Sequence, residues 1–152
     1  MLKKLTGIQW LMLLVVLVIV AAVVAVPMLG RGGDEEPSTA SLRQPTMSRA
    51  VDKITAEPTD PTDTFTVADP EIYCSVILAT APPETSVKAR WIYLGEAGAG
   101  AGNEILYETE AKFEGTMYLS FKLTNDAWQV GYYEVMLFLN GVEQFSVPFT
   151  IE

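Results

Sequence analysis

From Phe65 to the C-terminus apolar and polar residues alternate, and a side-chain period of two is the mark of a half-buried β-strand. Residues 116–124 carry it most cleanly: Met117, Leu119, Phe121 and Leu123 fall on one face, and Thr116, Tyr118, Ser120 and Lys122 on the other. Phe145, Val147, Phe149 and Ile151 repeat the pattern. The alternation divides into seven stretches, 65–67, 72–79, 86–94, 104–113, 116–124, 132–140 and 143–151. Asn140-Gly141 separates the last two, and a pair tolerant of positive φ predicts a two-residue hairpin there. Pro148 has no N–H to give a ladder, so its strand is expected at an edge or bulged at that point. Seven short strands joined by turns predict an all-β domain of two sheets packed face to face.

The N-terminus has a different pattern. Lys3 and Lys4 precede an almost unbroken apolar run over residues 8–26, which at about 1.5 Å per residue is long enough to cross a bilayer core as a helix. The lysines lie before the run, whereas Arg31 beyond it is followed at once by Asp34, Glu35 and Glu36. Basic residues bias the cytoplasmic side, so the expected topology is a single-pass cell-membrane anchor with its N-terminus inside and the following chain exported. Val23-Val24-Ala25 leaves a cleaved signal peptide as an alternative. Gly7-Ile8, with Pro27 closing the apolar stretch, resembles the N-terminal segment of type IV pilins, in which a peptidase cuts after the glycine and the helix packs into a filament. Met12 stands where that family has its glutamate.

With residues 1–29 assigned to the anchor, the 152-residue chain has room for one modest domain. Residues 30–63 are rich in Gly, Pro, Ser, Thr and acid, and composition predicts a flexible polar tether. Within it Met47, Ala50, Val51 and Ile54 have helix-like spacing, enough for a short turn or two. Asp60, Asp63 and Asp69 suggest calcium ligands, but their spacing matches no EF-type loop, and solvated charge is the expectation. The domain then runs over 64–152.

Ten Lys and Arg against nineteen Asp and Glu give a formal charge of −9. A surface this acidic repels phosphate backbones, so nucleic acid is not an expected partner. Histidine is absent, which removes the commonest general base and neutral metal ligand. No cofactor motif is present, because the glycine-rich stretch 95–103 lacks the Lys-Ser/Thr of a phosphate loop. Glu108 and Glu110 share a strand face, yet they alternate with Tyr107, Thr109 and Ala111 and precede Lys112, the pattern of a solvated surface. No enzymatic activity is expected. Cys74 is the single cysteine and is expected as a buried free thiol.

Cys74 on the second stretch, Trp91 on the third and Gly131-Tyr132-Tyr133-Glu134-Val135 opening the sixth resemble an immunoglobulin-like β-sandwich, as found in membrane-anchored surface proteins of bacteria and archaea. The resemblance implies that Trp91 fills the space between sheets. It also implies that Tyr133 is a corner tyrosine bonded back to upstream backbone, and that Val135 replaces the family's second cysteine. Stretches 86–94 and 132–140 are neighbours in such a sandwich. With Val87, Ala89, Trp91 and Tyr93 facing in, Lys88, Arg90 and Ile92 face out; with Tyr133, Val135, Leu137 and Leu139 in, Tyr132, Met136 and Phe138 face out. Ile92, Tyr132, Met136 and Phe138, flanked by Lys88 and Arg90, are therefore the expected binding surface, an exposed apolar patch of the kind that marks contacts. The expected function is a membrane-tethered extracytoplasmic binding or scaffolding module acting on a protein or glycan. The alternative is a pilin-like or membrane-complex assembly subunit whose apolar helix packs with other subunits.

Overall fold

The computed structural model describes residues 39–98 and 103–152. The anchor segment 1–29, the pilin-like stretch 7–27, tether residues 30–38 and loop residues 99–102 lie outside the described residues. The described chain is all-β, in six strands: β1 (Ser41–Ser48), β2 (Thr64–Phe65), β3 (Glu71–Gly95), β4 (Glu104–Thr124), β5 (Gly131–Leu139) and β6 (Val142–Ile151). Hydrogen bonding links them in the order β1-β3-β5-β6-β2, with β4 also paired to β3.

Two strands do the work assigned to four. β3 contains both 72–79 and 86–94, β4 contains both 104–113 and 116–124, and the two pair antiparallel from Glu71↔Thr124 to Tyr93↔Glu104. The sheet bends where the alternation breaks. On β3, Thr80 and Glu84 have positive φ of 51° and 67°, while on β4 the bend needs only Gly115 at φ 93°, opposite Ala81. Thr85 Oγ1 donates to the Pro82 carbonyl at 2.6 Å and locks the corner. The curl brings Ile72, Cys74, Val76 and Leu78 from the first half of β3 into one core with Val87, Ala89 and Trp91 from the second.

The tether expectation is corrected over residues 39–63. β1 pairs with β3 from Ser41↔Ala79 to Ser48↔Tyr73, and Leu42 and Met47 are buried in the core. These two lie five residues apart, a spacing that would put them on opposite faces of a regular strand. A bulge between Arg43 and Thr46, with Gln44 at φ 50°, turns both inward. Averaged composition and simple periodicity miss this device. Residues 48–61 fold back on themselves through a turn at 53–55, with bridges Ser48↔Pro61 and Val51↔Pro58. Asp52 Oδ1 caps the tip by accepting from the Ile54 and Thr55 amides. Of the short turn or two expected over 47–56, one turn forms, at 53–55, and no helix. Ile54 stands almost fully exposed.

The Asp60, Asp63 and Asp69 carboxylates have structural partners, not a metal-like geometry. Arg49 lies 3.3 Å from Asp69 and 3.9 Å from Asp60, and Asp69 Oδ2 also accepts from the Thr66 amide at 2.8 Å. The Thr66 amide first, and then the Arg49 guanidinium, hold the Asp69 carboxyl below its ordinary pKa. A carboxyl lowered on folding contributes stability above its unfolded pKa and loses it as pH falls through the folded value. Asp69→Asn is therefore expected to flatten the acid limb of the melting temperature against pH while changing the neutral value less than the acid-limb slope.

The Asn140-Gly141 hairpin forms as expected, with φ 49° and 81°. β6 closes the chain in a parallel pair with β2, Thr64↔Thr150 and Phe65↔Ile151, and Pro148 faces only β5, through Glu134. Inside, Phe149 is the hub of an aromatic cluster: it stacks on Tyr133 at 5.1 Å and meets Trp91 and Phe65 edge-on at 5.9 and 5.7 Å. The Tyr133 hydroxyl donates to the Gln129 carbonyl at 2.6 Å, and burial pushes its pKa up to about 12. Burial alone does the same for the Cys74 thiol, raised to about 12. Cys74 and Val135 are both fully buried in the same core.

Candidate functional site

β3 and β5 pair antiparallel with Lys88↔Phe138, Arg90↔Met136, Ile92↔Glu134 and Gly95↔Tyr132. Because Val87, Ala89, Trp91, Val135, Leu137 and Leu139 point into the core, the six residues marked in the sequence share the opposite, outward face. They do not form one exposed apolar patch. Phe138 and Ile92 are only 9% and 6% exposed, Met136 is half-buried, and Tyr132 alone is open, at 48%.

The cover over Phe138 comes from the basic pair. Lys88 Nζ sits 4.5 Å from the ring centroid and the Arg90 guanidinium 5.1 Å, within cation–π range. Their aliphatic stems shield the ring from water. Glu108 on β4 holds both cations in place: Arg90 Nε donates to Oε2 at 2.6 Å, and Lys88 lies 4.0 Å from Oε1. The Arg90 hydrogen bond draws the Glu108 pKa below its ordinary value. Glu110 accepts from Ser86, so the two glutamates belong to a polar face braced by local partners. Phe138→Ser is accordingly expected to destabilise the fold by about 2–4 kcal/mol, because it removes a covered aromatic. A denaturant titration reads this directly, and a loss below about 0.5 kcal/mol would contradict the shielding.

Tyr132 leads to the other half of the site. With Asp63, Thr64, Leu94, Gly98, Pro148 and Thr150 it lines a cavity of about 300 Å³ at the end of the outward face. Gly98, at φ 85°, lies against the Tyr132 ring, where a Cβ would meet it at 3.7 Å. Its lining is mostly apolar and includes Thr64, Thr150 and Asp63, the Thr64 hydroxyl donating to the Asp63 carboxylate at 3.2 Å. An aromatic face beside hydroxyl and carboxylate groups can stack a sugar ring and hydrogen-bond its hydroxyls, or seat an apolar side chain with a polar end. Sequence reasoning missed Asp63, Thr64 and Thr150, because they meet only through the parallel β2–β6 pair. Thr150 N donates to the Asp63 carbonyl at 2.9 Å, a contact between distant residues that no local pattern encodes.

No group of histidine, cysteine, aspartate and glutamate suited to a metal occurs among the described residues. No helix among them is long and apolar enough to cross a membrane.

No family model and no curated protein matches the chain. Among solved structures it is similar to an alkylpurine DNA glycosylase of Pseudomonas fluorescens bound to DNA containing an abasic site analog. That likeness has TM-score 0.48 and 14% identity, and covers 76% of this chain and 31% of that one. It is also similar to a β-glucosidase from Listeria innocua in complex with gluconolactone, with TM-score 0.49, 7% identity and coverage of 79% and 17%. A GH3 β-glucosidase from Bifidobacterium adolescentis gives TM-score 0.41, 10% identity and coverage of 75% and 17%. The chain thus spans less than a third of the length of each.

Proposed function

We propose that this chain is a membrane-tethered extracytoplasmic binding or scaffolding module, an immunoglobulin-like sandwich that acts through protein or glycan contacts on the outward face of β3, β5 and β6. The observation that carries the reading is the cavity walled by Tyr132. It is a concave, largely apolar site that includes Asp63, Thr64 and Thr150 in its lining, and Lys88, Arg90 and Glu108 brace the outward face of the same β3 and β5 pairing. The corner hydrogen bond of Tyr133 and the burial of Trp91 support the immunoglobulin-like assignment. Residues 8–26 supply the anchor in this account, and the acidic surface directs the module away from nucleic acid and anionic lipid.

A photo-crosslinking amino acid placed at position 132 of the full chain, in cells that produce it, tests the site. The expected result is an adduct of one discrete mass, digestible by protease for a protein partner or by glycosidase for a glycan. The same probe at Val142, exposed at the opposite end of β6, should give none. Equal adducts at both positions, or none at 132, would overturn the assignment.

A further inference from the structure

The second edge of β4 is open. The strand runs for 21 residues, and among the described residues it pairs only with β3. It contains no proline, and Ile105, Leu106, Tyr107 and Met117 are 56%, 37%, 48% and 39% exposed along it. A long edge of this kind invites strand addition unless it is guarded. It is guarded by charges and by the bend at Gly115, and those charges are ordered.

We propose that β4 is a self-complementary edge through which two copies of this chain pair antiparallel about Phe113. In that register Lys112 faces Glu114 of the other copy, twice by symmetry. Glu110 then faces Thr116, Thr109 faces Met117, Glu108 faces Tyr118 and Tyr107 faces Leu119, so no like charges are opposed. Centring on Ala111 instead opposes Glu108 with Glu114; centring on Lys112 opposes it with itself, and centring on Glu114 does the same. Opposite charges across a strand pair stabilise it and like charges destabilise it. Centring on Gly115 or Thr116 opposes no like charges either, but each gives one kind of opposite pair with Lys122. Centring on Phe113 gives two, Lys112 with Glu114 and Glu104 with Lys122, so the charge order favours this register. Glu114 makes no ion pair among the described residues, whereas Lys112 is held on the outward face by Glu84, positioned for a second carboxylate. The match of the strand to itself identifies the occupant as a second copy rather than a basic foreign strand. The chain's −9 charge acts against association at long range, where salt screens it beyond about 8 Å at physiological ionic strength.

Directly opposed residues in an antiparallel pair lie within disulfide reach, which makes the register testable. Full-length Thr109→Cys chains are mixed with full-length Met117→Cys chains in membranes under mild oxidation. A covalent dimer is expected from the mixture and not from either chain alone. Phe113→Cys alone should also cross-link, and Ala111→Cys alone should not. Cys74, buried with its thiol raised to about 12, does not compete. Adding Lys112→Glu should abolish the cross-link, and adding Glu114→Lys to that variant should restore it. The proposal is overturned if neither the mixture nor Phe113→Cys cross-links, or if Ala111→Cys cross-links equally well.

Discussion

Replacing Trp91 with alanine is expected to remove about 3–5 kcal/mol of stability, the range for deleting a large buried aromatic. The side chain is fully buried. It sits in the second half of β3, where Val135 of β5 and Tyr107 of β4 are its register partners, and it meets Phe149 edge-on. Its removal leaves the inner face of β3 facing a void that Phe149 cannot fill without leaving Tyr133. A domain of this size has a net stability of roughly 5–15 kcal/mol, so the loss is a large part of the total. Chemical denaturation followed by the fluorescence of Trp128, which is buried in the same core, measures it. Trp91→Phe should recover part of the loss, since the Trp91 indole N–H has no hydrogen-bond partner to forfeit. A change below about 1 kcal/mol for the alanine variant would mean that the core is not built around this residue.

Gly131→Ala is expected to have the second largest effect, about 2–5 kcal/mol, combining backbone strain with overpacking. Gly131 opens β5 at φ 147°, and a Cβ there would lie 2.7 Å from the Gly95 carbonyl oxygen and 3.0 Å from its carbon. Neither atom is at the end of a flexible side chain, so the main chain itself must move. The move separates Gly95 from Tyr132, its register partner, and Tyr132 is the wall of the candidate cavity. The substitution therefore couples stability to the site: the midpoint falls, and cross-linking from position 132 falls with it even at temperatures where the variant remains folded. A normal midpoint with unchanged cross-linking would contradict the close approach of β3 and β5 at this end.

The strand content was legible wherever alternation was regular. Met117 to Leu123 and Phe145 to Ile151 announce their faces without help, and Asn140-Gly141 announces its turn. What periodicity could not carry was continuity through a bend. Pro82-Pro83-Glu84 breaks the period of β3, so one bent strand reads as two; Gly115 does the same for β4. β1 escaped because its bulge places Leu42 and Met47, five residues apart, on the same side. The short parallel pair of β2 and β6 joins residues far apart in the sequence, Thr64 to Thr150 and Phe65 to Ile151, and nothing local marks such a contact.

The candidate site was legible in its plan and not in its relief. The neighbourhood of β3 and β5 and the outward direction of Lys88, Arg90 and Phe138 follow from alternation once the pairing is assumed. Burial does not follow, because long cationic side chains cover apolar neighbours to an extent that sequence position does not reveal. Phe138 is shielded for this reason, and of the four apolar residues Tyr132 alone stays open.

The central claim is a module held at the membrane by an intact N-terminal segment and displayed outside the cell. The intact mass of the protein recovered from a membrane fraction tests it most directly. The account predicts a mass corresponding to a start at or next to Met1, with the apolar run 8–26 retained. A start at Ile8 would contradict it in favour of a pilin-like subunit, and a start near Val26 would contradict it in favour of a released domain.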